Sequence, residues 1–167
     1  GYSAFGNTTT GNQLTVSGVT GTLAAAYGAQ TAGASGNSVN NKVILAGTGT
    51  GSVTNVYGGA VTNAANGGNV TGNTVTLTGG TVTGAVYGGH TVGTGKTTGN
   101  AVNLGDGSAA TLAAGTNLDN AALYGGNKAD DVTGNTLNVM VKDAKAQKAQ
   151  NFANYTFHLT DHIAVDK

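Results

Sequence analysis

The chain has 167 residues and a formal net charge of zero, from seven lysines and seven aspartates, and 30 of its residues are glycine. Arg, Glu, Pro, Trp and Cys are absent, and only 8% of residues are charged, against about 25% in ordinary domains. This composition gives no general attraction for nucleic acid or an anionic bilayer. It also removes disulfides and thiolate metal sites, and no run approaches the roughly 18 apolar residues of a membrane helix.

Glycine and small polar residues would permit disorder, but the apolar residues alternate with a period of two, the pattern of half-buried strands. In chain order, strand segments open as GNQLTVSGVTG at Gly11, NNKVILAGTGTG at Asn40, GNTVTLTGGTVTG at Gly72, GNAVNLGDG at Gly99 and GNTLNVMV at Gly134. Each of the first four leads to a second block, AAYGA, NVYGG, AVYGG or ALYGG. The tyrosines of that block, Tyr27, Tyr57, Tyr87 and Tyr124, are spaced by 30, 30 and 37 residues. The extra length of the fourth copy falls between Asn100 and Tyr124, around DGSAATLAAGTN, and reads as a loop insertion.

A fixed period defines the architecture before any motif does. One copy is too small to close a core, whereas stacked copies share one. The expectation is an all-β fold, a single-chain parallel β-helix (β-solenoid) of about five repeats of roughly 30 residues, its coils about 4.8 Å apart. Residues 1–139 form the repeat solenoid, and residues 140–167 form a connector and a C-terminal strand segment continuing it. The inward positions are Leu14 and Val16, Val43 and Leu45, Val75 and Leu77, Val102 and Leu104, and Leu137 and Val139. The Gly-Asn pair suits a tight left-handed turn. Asn12, Asn41, Asn73, Asn100 and Asn135 are placed to bond one another along the axis as an amide ladder. Asn55 shares strand parity with Tyr57, so the tyrosine row faces outward, stacked on itself or open to sugars and peptide strands.

Sites of chemistry are weakly indicated. YGGHTVGTGKT, from Tyr87, ends like a nucleotide-binding loop, but that motif needs glycine where His90 stands and a helix after Thr97. Of the aspartates 106, 119, 130, 131, 143, 161 and 166, only Asp130 and Asp131 are adjacent, and they suit a solvated turn better than paired catalysis. Calcium at that loop, helped by Asp106 or Asp119, is the weaker alternative. His90, His158 and His162 lie far apart and assemble no metal site. Lys142, Lys145 and Lys148 sit three apart, a helical spacing, in a solvated connector. Thr74, Thr76 and Thr78 face outward in the third copy, but the other copies do not continue a regular threonine array. No cofactor is expected.

GNTVTLTGGTVTGAVYGG resembles the repeat of bacterial type V autotransporter passengers and related large surface adhesins, with units of the form GNxVxLxGGxVxGxVYGG. NFANYTFHL, residues 151–159, is similar to the NFxNYxFxL segment that follows such repeats. The resemblance implies a right-handed parallel β-helix, exported and displayed outside a Gram-negative cell by an outer-membrane barrel outside this sequence. It also implies a piece of a longer chain, because Gly1 aligns with Gly59 and Gly89. The function it implies is a non-enzymatic cell-surface adhesin or structural stalk, acting in adhesion, aggregation or biofilm on a surface protein or glycan. A self-assembling fibre scaffold, stacked end to end or laterally, and a carbohydrate-active β-helix enzyme are the alternatives.

Overall fold

The computed structural model describes residues 1–47 and 49–158, all strand, turn and irregular structure without helix. Three sheets wrap around one axis. A short sheet holds Thr9–Thr10, Ser38–Val39, Val70–Thr71 and Thr97–Thr98. A leucine sheet holds Gln13–Ser17, Lys42–Ala46, Thr74–Leu77, Ala101–Leu104, Thr136–Val139 and Asn154–Phe157. A tyrosine sheet holds Thr22–Tyr27, Ser52–Val61, Ala85–Thr91, Ala122–Gly126 and Lys148–Gln150, with Tyr2–Ser3 and Gln30–Thr31 at its start. Each strand pairs in parallel with its counterpart one coil away. The chain is therefore a β-solenoid of about five turns.

Register follows the apolar pattern. Leu14, Val43, Val75, Val102 and Leu137 fall in one inward column, and Val16, Leu45, Leu77, Leu104 and Val139 in the next. Val43, Val75 and Val102 are fully buried, while Leu14, Val16 and Val139, near the ends, are half-buried against them. Ala26, Val56, Val86 and Leu123 supply the opposing wall. A one-residue slip would turn each of these columns to solvent, so burial itself fixes the register.

The interior is too narrow for side chains on both walls at every level. At the Tyr-Gly-Gly block, a Cβ added to Gly58 would come 2.5 Å from the Gly88 carbonyl oxygen, and one on Gly59 would come 2.5 Å from the Asn73 side chain. The YGG block and the Gly-Asn block are thus two sides of one contact: glycine on the tyrosine sheet makes room for asparagine across the coil.

The last coil is different. Tyr124 aligns with Gln150 and Leu137 with Tyr155, so the passage from the tyrosine sheet to the leucine sheet, which already lacks a short-sheet strand after Thr97–Thr98, shortens further. Phe152 fills the space beneath at 8% exposure, edge-on to Tyr155 with ring centroids 5.6 Å apart. The helical spacing of Lys142, Lys145 and Lys148 does not produce a helix: residues 142–147 are irregular and Lys148 begins a strand. Pairing of Lys148–Gln150 with Ala122–Tyr124 overrides the local spacing.

Candidate functional site

The repeated polar residues are consumed by the rod. Gly11, Asn40, Gly72, Gly99 and Gly134 take φ between 53° and 69°, the left-handed turn of each copy. The asparagine after each of them points inward. Nδ2 of Asn12, Asn41, Asn73 and Asn100 donates to Oδ1 of the next asparagine at 2.9, 3.0, 3.1 and 3.4 Å. Their backbone N–H groups donate to the same oxygens at 3.0, 2.9, 3.0 and 2.9 Å. Asn73, Asn100 and Asn135 are fully buried. A buried amide is tolerated only when its polar atoms are paired, and this ladder supplies the pairing from coil to coil.

Tyr27, Tyr57, Tyr87 and Tyr124 stack face to face, with centroids 4.6, 5.5 and 4.8 Å apart. All four are half-buried, and the residues before them, Ala26, Val56, Val86 and Leu123, are buried, so the row faces outward as the strand parity indicates. The Lys148 ammonium lies 5.3 Å from the Tyr124 ring centre and covers the end of the stack. His90 meets Tyr57 and Tyr87 edge-on at 5.3 and 4.9 Å. Burial lowers the pKa of His90 and raises those of Tyr57 and Tyr87, which neighbouring phenols raise further. Ring faces already covered by rings offer edges and hydroxyls, not platforms, to a ligand.

The corners carry what varies. Between the tyrosine and short sheets, the HTVGTGKT loop turns carbonyls towards the corner loop of the next coil: Lys128 Nζ donates to Gly93 O at 3.0 Å and Gly95 O at 2.7 Å. A phosphate cradle presents N–H groups at a helix start; this loop presents oxygens to a cation. The Lys128 staple has no sequence motif and emerges only from the stacking of adjacent loops. Asp131 Oδ2 accepts from Thr97 N at 3.1 Å, which gives that carboxylate a structural partner. Asp106 accepts from Ser108, and these hydrogen bonds hold its pKa low. Asp106 and Asp119 lie at the other corner, between the leucine and tyrosine sheets, so they cannot complete a calcium site with Asp130 and Asp131. Among the described residues no group of three histidine, aspartate, glutamate or cysteine side chains is gathered to hold a metal.

His158 follows the last strand. His162, Asp161 and Asp166 lie outside the described residues, as does Leu159 at the end of NFANYTFHL. The threonines of the third copy are not an open array: Thr76 is 5% exposed and its Oγ1 accepts from Asn103 Nδ2 at 3.3 Å. Thr97 Oγ1 is buried without a partner among the described residues. Compared with protein families, curated proteins and solved structures, the chain matches none.

Proposed function

We propose that the chain is a non-enzymatic display rod, a bacterial cell-surface adhesin or structural stalk of the autotransporter-passenger kind. One observation supports this reading above the others. The recurring residues are spent on construction, as the asparagine ladder, the tyrosine stack and the glycine contacts. The non-repeating residues gather in loops at two corners, where Lys96, Lys128, Asp130 and Asp131 lie at one and Asp119, Lys142, Asp143 and Lys145 at the other. Binding residues carried on loops above a rigid scaffold are a common arrangement.

The test displays residues 1–167 on a non-adherent bacterium and scores attachment to host cells and matrix. Attachment that falls when the exposed corner residues Lys96, Asp130, Asp119, Lys142, Asp143 and Lys145 are replaced by serine, with unfolding midpoint unchanged, supports the reading. Tyr57→Ser with Tyr87→Ser asks whether the stack contributes contacts as well as stability. Ordered filaments from the purified chain, with no attachment to any surface, would instead favour the receptor-free fibre scaffold.

A further inference from the structure

One stretch of corner breaks the pairing between coils. Lys142 N donates to Ala110 O and Gln147 N to Ala121 O, both at 2.9 Å. Between these two bonds the fourth coil runs through residues 111–120, and the fifth crosses in residues 143–146. The surplus keeps its bonds to the third coil: Ala113 N donates to Thr78 O at 2.8 Å and Asn117 N to Gly80 O at 3.1 Å. Between them it turns on itself, Thr116 N donating to Ala113 O at 3.1 Å, so only its pairing with the fifth coil is lost. The coils part and leave a half-open cleft of about 280 Å³, near the lower end of the size range of ligand sites.

The chemistry of this cleft is specific. Leu112, Leu118 and Ala144 give it an aliphatic wall, with Leu118 anchored in the core at 3% exposure. Of seven lysines and seven aspartates in the chain, two of each surround it: Lys142, Lys145, Asp119 and Asp143. By contrast, Lys128 is engaged with carbonyls and Lys148 lies over Tyr124. The backbone N–H groups of residues 143–146 donate to no protein atom among the described residues. Among the described residues no aromatic ring lines the cleft to stack on a sugar. A backbone edge with unused donors, an aliphatic wall and charges of both signs are together what an extended peptide requires in strand addition.

We propose that this cleft docks an extended segment of a partner protein, paired along residues 144–146, beyond the left-handed turn at Asp143. A central aliphatic side chain lies against Leu112 and Leu118, and flanking charges of both signs meet the rim. The inference rests on the display reading, since it names the kind of partner one set of corner loops takes.

The test titrates the isotope-labelled 167-residue chain with the capped pentapeptide Lys-Val-Leu-Val-Asp, followed by amide and methyl NMR shifts. Shifts confined to residues 144–146 and to the methyls of Leu112 and Leu118 are expected. N-methylation of alternate peptide nitrogens should weaken binding by about tenfold or more, because strand pairing is lost. Thr111→Trp, at an exposed position on the rim, should weaken it similarly while leaving the unfolding midpoint in place. Absent shifts, shifts spread over the rod, or equal binding of the N-methylated peptide would overturn the proposal. A chain that attaches to cells yet ignores the peptide overturns the cleft and leaves display standing. A chain that takes the peptide but attaches to nothing overturns display and leaves the cleft.

Discussion

Replacing Asn73 by alanine removes one rung from the middle of the buried ladder. Its Oδ1 accepts from Asn41 N at 2.9 Å and Asn41 Nδ2 at 3.0 Å, and its Nδ2 donates to Ser38 O at 2.9 Å and Asn100 Oδ1 at 3.1 Å. Three of these partners keep other bonds. Asn41 Nδ2 still reaches Thr9 O and Ser38 Oγ, and Asn100 Oδ1 still receives the backbone N–H of residue 73. The Asn41 N–H is left without this partner inside the coil, whereas the Ser38 carbonyl keeps the ladder bond of its parallel pairing with Val70 and Thr71. At about 1–3 kcal/mol for the stranded N–H and about 1 kcal/mol for the other lost rung bonds, the loss is roughly 2–4 kcal/mol. Asn12→Ala is the control: Asn12 is half-exposed, and Asn41 Oδ1 keeps the backbone bond from residue 12, so about 0.5–1 kcal/mol is expected. Urea unfolding followed by circular dichroism, with the denaturant slope unchanged, reads both values. A difference between the two variants within about 0.5 kcal/mol, the ordinary scatter of such comparisons, would refute the stranded-group argument.

Other outcomes follow from the same coordinates. Thr97 aligns with Val70 and its buried hydroxyl has no partner among the described residues, so Thr97→Val should stabilise the chain by about 1 kcal/mol in the same unfolding assay. Gly59→Ala forces a Cβ to 2.5 Å from Asn73 and Ser38 Oγ and should cost about 1–3 kcal/mol, whereas Gly67→Ala meets only Thr94 Oγ1 at 3.5 Å and should stay within about 0.5 kcal/mol. Burial lowers the pKa of His90, so folding favours the neutral ring. Its contribution is complete above the unfolded value of about 6.5 and declines as pH falls from there towards the lowered folded value, since the unfolded chain then binds the extra proton. His90→Gln should flatten the stability profile in that window, and an unchanged profile would remove His90 as its cause.

Much of the rod is legible in the sequence because its determinants are local and repeated. Leucine and valine at alternate positions set the inward columns, and the Gly-Asn pair divides its work visibly: the first residue takes the left-handed angle and the second enters the ladder. The tyrosine row is legible from parity with Asn55, and its 30-residue spacing reflects one ring per coil. What escapes the sequence depends on contacts between different coils. Lys128 reaches back to the carbonyls of Gly93 and Gly95 only because the two loops stack. Phe152 is buried because the last coil takes a shortcut, and no local pattern announces that. The three-residue spacing of Lys142, Lys145 and Lys148 points to a helix, but strand pairing with Ala122–Tyr124 decides the outcome. The corner cleft is hidden for the same reason, since the insertion is visible in the sequence while the unpaired backbone opposite it is not.

The central claim is that repeated residues hold the rod together while the corner loops are free to bind, and native-state hydrogen exchange tests it residue by residue. The backbone amides of Asn41, Asn73 and Asn100, bonded to the next asparagine inside the coil, should exchange only through global unfolding. Those of residues 143–146 should exchange orders of magnitude faster by local opening. Ladder amides that exchange as fast as those of residues 143–146 would contradict the account.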